Sequence, residues 1–251
     1  MPTLNKQLKR GSRRKTLKVL TSPPLVITEN LVLHLDAGNA ASYPGSGSTW
    51  YDLTAGAHDA TLVNSPIYSS NNGGYLTFDG LDEYGTISNH ADFNFGTGNF
   101  TAEYWALCNN TAKTYQMIGG NHVGGVAGGW YLYGKRLGGT TAFGQAGDAT
   151  AVNSVVASLT QGAWYHVVVS RISGQVIFYT NNVSEAGKSF TEDLTSANAM
   201  RVAMIPYYGN LTDGTYHWQG RIAQFRLYKG KGLTAAEVNQ NFNADRSRYA
   251  I

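Results

Sequence analysis

The 251 residues include 30 Gly and 16 Tyr but only 14% charged side chains, a balance that disfavours helical bundles and long solvated helices. One cysteine, Cys108, excludes an intrachain disulfide framework, and no apolar run reaches the roughly 18 residues of a membrane-spanning helix. The formal charge of +3 is unevenly placed: seven of the 19 Lys/Arg lie in the first 18 residues, leaving 12 basic against 16 acidic residues and a net −4 on the rest.

In chain order, residues 1–24 form a basic arm carrying Lys6, Lys9, Arg10, Arg13, Arg14, Lys15 and Lys18, and it ends in a Pro pair that favours an extended exit. It reads either as a solvated tail or as an anchor for an acidic protein surface or nucleic acid. With no interleaved aromatics, sequence-specific nucleic-acid binding is not expected. The arm has no apolar signal core, so secretion through a signal peptide is not expected either. The N-x-S/T triplets at Asn99, Asn109, Asn182 and Asn210 follow from an Asn/Thr-rich composition.

Residues 25–251 read as one domain. Leu31, Leu33 and Leu35 alternate with Val32, His34 and Asp36, as in a strand. A Gly/Ser/Pro loop leads to Trp50. Strands follow over Tyr75–Phe78 and Tyr84–Ile87, with the Asp79-Gly80 turn between them. Next comes a strand with Phe100, Ala102, Tyr104 and Ala106 on one face and Thr101, Glu103 and Trp105 on the other. The Gly-dense stretch 115–150 supports two or three short strands. Trp164–Arg171 and Val176–Thr180 make a hairpin about Ser173-Gly174. Two more strands lie in "AMRVAMIPYYGN" and "YHWQGRIAQFRLYKG", the latter with Ala223, Phe225 and Leu227 expected on one apolar face. The total is about ten to twelve strands and an all-β fold.

The chain closes differently. Thr234 is placed as an N-cap and Glu237 three residues on completes a capping box, while Leu233 and Val238 fit a hydrophobic staple. Val238 and Phe242 share a face. A helix of about ten residues is too short to stand alone, so it is expected to pack on the sandwich.

Motifs for chemistry are sparse. "EAGKSF" contains Gly187-Lys188-Ser189, but a phosphate-binding loop needs Gly where Asn182 stands. His34, His58, His90, His122, His166 and His217 form no close i, i+2 or i, i+4 pair, so no zinc site is expected. Cys108 has no catalytic signature beside it. Sugar binding needs exposed aromatic faces beside hydrogen-bonding groups. The candidates are Tyr207 and Tyr208 beside Asn210, Tyr216 with Trp218, and the run 130–133. Sixteen tyrosines also suit protein–protein contact and a homo-oligomer.

Five segments in order carry a resemblance: "LVLHLDAGNAASYPGSGSTWYDL", "ATLVNSPIYSSNNGGYLTFDGLDEYGTI", "FGTGNFTAEYWA", "WYHVVVSRISGQVIFYTNN" and "GRIAQFRLYKGKGLTAAEVNQNFNADRSRY". Together they resemble the laminin-G-like branch of the concanavalin A-like lectin/glucanase superfamily. The resemblance implies a two-sheet antiparallel jelly-roll sandwich closed by a strand and a short helix. Glucanases of that superfamily carry an E-x-D-x-x-E strand; the nearest acids here, Asp79, Asp82 and Glu83, lie in a turn, and no enzymatic activity is expected. Asp79 and Asp82 match the family's "FDGxDDY" position, which implies calcium as the one candidate cofactor, although Ala223 and Gln224 stand where the family often has acids.

The first and last of the five segments also resemble structural proteins of tailed bacteriophages. That resemblance implies a virion protein assembled in the host cytoplasm, decorating capsid or tail beside other virion proteins, with glycan adhesion as a secondary role. The alternative is a lectin-type module for host-cell adsorption. Neither reading expects membrane insertion.

Overall fold

The computed structural model describes residues 24–123, 128–136, 140–145, 151–154, 159–205 and 214–251. Its strands are β1 (Leu31–Asp36), β2 (Thr49–Trp50), β3 (Ala60–Val63), β4 (Ile67–Ser69), β5 (Tyr75–Asp79), β6 (Tyr84–Ile87), β7 (Phe100–Cys108), β8 (Gln116–Gly120), β9 (Tyr131–Lys135), β10 (Ala142–Gly144), β11 (Val152–Asn153), β12 (Trp164–Ile172), β13 (Gln175–Thr180), β14 (Val183–Ser184), β15 (Lys188–Ser189), β16 (Met200–Val202) and β17 (Gln219–Lys229), followed by helix α1 (Ala235–Asp245). The count exceeds the expected ten to twelve because several strands are only two or three residues long, too short to show a period of two.

All strand pairs are antiparallel. The first sheet runs β14-β13-β12-β7-β17-β5-β4, with β1 also on β17 and β15 on β13; the second runs β11-β10-β9-β8-β16-β6-β3-β2. Leu33, Leu35, Phe100, Ala102, Tyr104, Ala106, Ile222, Phe225 and Leu227 of the first sheet meet Leu62, Ile87, Ile118, Leu132, Phe143, Met200 and Val202 of the second in one apolar core. This is the all-β jelly-roll sandwich implied by the alternation, with one short C-terminal helix.

Strands β1 and β17 depart from simple alternation. In β1 an irregularity between Leu31 and Leu33 sets Val32 against the core and Leu31 against the outer cluster, so the expected Leu31/Leu33/Leu35 face is kept by Leu33 and Leu35 only. β17 pairs with β7 along its length, but its other edge meets β5 over 219–222 and β1 over 224–228. A bulge falls between Ile222 and Gln224, and the bulged Ala223 gives its carbonyl to Ala37 N at 2.9 Å. The extra residue turns Ala223 away from the core to join Trp105 and Phe242, while Ile222 takes the core position instead. A bulge of this kind re-aims a strand where its partner changes, and the expected Ala223/Phe225/Leu227 face is corrected accordingly.

The helix forms as its signals predict. Thr234 Oγ1 accepts from Glu237 N, and the Glu237 carboxylate accepts from Thr234 N at 2.9 Å. Leu233 and Val238 close the staple against Val168 and Tyr228. Phe242 and Tyr249 stack on Trp105 at ring separations of 5.8 and 4.2 Å. Thus α1 and the 3-10 turn Arg246–Tyr249 cover the outer face of the first sheet.

Candidate functional site

The face beneath α1 holds an unusual number of buried charges. Glu103 of β7 accepts from His166 Nε2 at 2.8 Å, Arg226 Nη1 at 3.1 Å and Asn241 Nδ2 at 2.8 Å. Arg226 also donates to Asp245 Oδ2 at 2.6 Å, to Gln224 Oε1 at 3.0 Å and, through Nε, to His34 Nε2 at 3.0 Å. Asp36 accepts from Gln224 and from both terminal nitrogens of Arg248. Burial by itself would raise the Glu103 carboxyl, but the Arg226 guanidinium and the His166 hydrogen bond hold it down at about 2. Burial and the same guanidinium push His34 down to about 4, so its Nε2 is a neutral acceptor. Every carboxylate here is matched by a cation, as buried charges require. The network is a seat for the helix, closed to substrate.

The outer face of the second sheet is different. Tyr131 and Tyr133 flank the core residue Leu132 and so point outward, where they gather with Met117, Ala142 and Ile205. Tyr115 and Tyr216 pack on this cluster and are half-buried. Arg136 lies over the Tyr133 ring at 5.8 Å, and its Nη1 donates to Asn153 Oδ1 at 3.0 Å. Tyr115, Arg136, Thr140 and Asn153 line an open depression of about 420 Å³. It combines an aromatic face with planar donor and acceptor groups, the pairing that suits a sugar ring and its hydroxyls. A second depression of about 490 Å³ lies between the 43–48 loop and β4. There Tyr43 and Tyr68 sit 5.4 Å apart and the Tyr43 hydroxyl donates to Gly47 O.

The residues singled out from the sequence separate in the structure. Trp218 is fully buried in the sandwich core; a ring with no exposed face cannot stack on a sugar, so that assignment is corrected. Trp130 and Tyr133 are buried too, and only Tyr216 of that group reaches the surface. Tyr207, Tyr208 and Asn210 lie outside the described residues, as do Lys6, Lys9, Arg10, Arg13, Arg14, Lys15 and Lys18. Asp79 organises its own turn, accepting from Leu81 N at 2.8 Å, and Glu83 accepts from Asp79 N at 2.7 Å. Beside them the Lys113 ammonium donates to Gly80 O and His217 O, each at 2.7 Å, and so takes carbonyls that a rim cation would share. Reading 130–133 as one block hid the site, because alternation sends Tyr131 and Tyr133 to a different face from Trp130 and Leu132.

Two antiparallel sheets, one outer face sealed by a helix and the other lined with aromatic and polar side chains, define a lectin-like jelly roll. The chain belongs to the Concanavalin A-like lectin/glucanases superfamily, whose laminin-G-type family model matches residues 78–239, from β5 into α1. No curated protein sequence matches it significantly. Among solved structures, domain 4 of AbnA, a GH43 extracellular arabinanase from Geobacillus stearothermophilus in complex with arabinotriose, is similar with TM-score 0.67 at 14% identity, over 85% of this chain and 98% of that one. The binding domain of Paraclostridial Mosquitocidal Protein 1 is similar with TM-score 0.65 at 14% identity, over 86% and 52%. Trypanosoma rangeli sialidase in complex with sialic acid gives 0.63 at 19% identity, over 90% and 35%. The chain thus spans about half of the mosquitocidal domain and a third of the sialidase. At these identities the likeness is one of fold.

Proposed function

We propose that this chain is a non-enzymatic, lectin-type module that binds glycans on the outer face of its second sheet, around Tyr115, Arg136 and Asn153. The observation that carries the reading is the open aromatic and polar depression on the face that α1 leaves uncovered. Support comes from arabinanase domain 4, a structure of nearly the same extent that contains arabinotriose. The non-enzymatic part rests on the carboxylates buried between the first sheet and α1. Glu103, Asp245 and Asp36 are all held by arginine, leaving none as a paired acid and nucleophile.

An immobilised-glycan array that includes arabino-oligosaccharides tests the reading. The full chain is expected to be retained on a restricted set of glycans, and Tyr115→Ala with Arg136→Ala to lose that retention while melting normally. Retention of no glycan, or retention unchanged in the double variant, overturns it.

The narrower setting within this reading is a bacteriophage particle, with the basic arm 1–24 as the anchor. It is supported by the resemblance of the first and last segments to virion proteins and by the concentration of seven cations in that arm. Quantitative mass spectrometry of purified particles tests it. Hundreds of copies fit decoration of the shell, a handful fit the tail, and absence removes the setting without touching the glycan reading.

A further inference from the structure

The residues His58, His90 and Asp92 are separated by up to 34 positions and share no sequence motif, yet the structure brings them together. β3 pairs with β6 so that Thr61 faces Thr86 and Val63 faces Tyr84. Extending that register beyond the strand ends sets residue 58 opposite 89, beside His90 and the 3-10 turn Ala91–Phe93. One nitrogen from each imidazole and one Asp92 oxygen lie within 4.8 Å of one another. His58 Nε2 is 2.9 Å from Asp92 Oδ2 and His90 Nδ1 is 3.2 Å from the same oxygen. The two rings are 4.4 Å apart, centroid to centroid.

We infer that these three side chains form a binding site for a first-row divalent transition ion of the zinc class. Ligand bonds of about 2.0–2.1 Å in a tetrahedron put donor atoms about 3.3 Å apart, close to the two nitrogen–oxygen spacings of 2.9 and 3.2 Å. The donor set as a whole spans up to 4.8 Å, so an ion would draw the two imidazole nitrogens together, a movement the exposed His90 side chain can make. Two imidazoles and one carboxylate suit zinc, cobalt or nickel, whereas calcium takes six or more oxygens.

The scaffold around the donors is set in advance. Asp52 accepts from His58 N at 3.0 Å and also from His34 N and Thr54 N, which fixes the loop that presents His58. Phe93 packs edge-on against the His58 ring at 5.0 Å. Gly56 keeps the approach open, because a Cβ there would lie 2.7 Å from His58 Nε2. His58 is largely buried, while the His90 side chain is 51% exposed, so ions can enter from solvent and the fourth position falls to water. Two neighbours bear on the fit. His90 Nδ1 accepts from Asp92 N at 3.2 Å, a cap that metal binding would exchange for a ligand bond. Lys229 Nζ donates to Ala91 O at 2.6 Å, a nearby cation that weakens the site without blocking it.

The test uses the full chain, freed of metal by a chelator, with zinc and cobalt salts as probes. Calorimetry is expected to show one zinc ion bound per chain. Cobalt is expected to give the intense visible absorption of a tetrahedral N/O site. Both His90→Gln and Asp92→Asn should lose about tenfold or more in zinc affinity while melting like the parent without metal. His122→Gln, away from the cluster, should bind normally. Absence of zinc binding to the parent, or equal binding by His90→Gln and Asp92→Asn, overturns the inference and leaves the cluster as a cap on the 3-10 turn.

Discussion

Asp36 and Arg248, 212 residues apart, form a two-pronged ion pair with contacts of 2.8 and 2.9 Å. It ties the end of the first strand to the last turn of the chain. The "DAGN" segment is built around it. Asp36 also accepts from Gly38 N, and Gly38 lies so close to the next loop that a Cβ there would be 1.6 Å from the Gly73 carbonyl oxygen. Because both partners are mostly buried, Arg248→Met should cost about 2–3 kcal/mol of stability. Arg248→Lys should recover little of it, since an ammonium cannot reproduce the fork. Urea unfolding of the three proteins measures this, and equal midpoints would show that the pair is ornamental.

The network beneath α1 should make the protein labile to acid. His34 falls from 6.5 to about 4 and Glu103 from 4.5 to about 2 on folding. Each group therefore binds fewer protons folded than unfolded, and stability rises with pH across its window. The His34 contribution is complete above about 6.5 and is lost on acidification toward 4. The Glu103 contribution is complete above about 4.5 and is lost toward 2. Each is worth at most about 3 kcal/mol. Unfolding free energy followed from pH 8 to pH 3 should fall in two stages, and His34→Gln should flatten the upper one. A profile level between pH 6.5 and 4 would contradict the assignment to His34.

Much of this architecture was legible in the sequence. Alternation in β7 places Phe100, Ala102, Tyr104 and Ala106 in the core and Trp105 on the outer face as expected, because β7 runs mid-sheet between the core and the helix side. In β1 it holds for Leu33 and Leu35 only, since the irregularity after Leu31 turns that residue to the outer cluster with Tyr228 and Val238. The capping box and staple at Leu233–Val238 locate the start of α1 to the residue. What escaped has definite causes. The bulge at Ala223 arises because β17 changes partner from β5 to β1, which no local window contains. Trp218 reads as an exposed aromatic because it sits among polar residues, but it fills space left by Gly134, whose Cβ would lie 2.5 Å from its ring. The His58, His90 and Asp92 cluster depends on the β3/β6 register. Spacing rules that look only a few residues along the chain cannot find it.

The helix cap gives a measure of how far α1 depends on local signals. Thr234→Ala removes the side-chain acceptor for Glu237 N and should cost about 1 kcal/mol. Val238→Ala removes a fully buried side chain from the cluster with Val168 and Tyr228 and should cost about 2 kcal/mol or more. Thermal melts should therefore rank Val238→Ala below Thr234→Ala. The reverse order would mean that α1 is held by its end more than by its face.

Trp218 and Tyr216 are neighbours in sequence with opposite expected roles, and their separation tests the placement of the glycan surface. Trp218 is wholly inside the sandwich and packs on Gly134 and Gly220. Trp218→Ala should cost about 3–5 kcal/mol through loss of buried area and the cavity it leaves, and any loss of glycan retention should accompany loss of the fold. Tyr216 is half-buried and packs against Tyr115 with ring centroids 5.8 Å apart. Tyr216→Ala should leave the core intact while weakening glycan binding by about 1 kcal/mol, roughly fivefold, if its ring forms part of the platform. Measured side by side, melting temperature should separate the first variant from the parent and glycan affinity the second. If a soluble, folded Tyr216→Ala protein binds glycans as the parent does, the platform does not extend past Tyr115 and the surface is centred on Arg136 and Asn153.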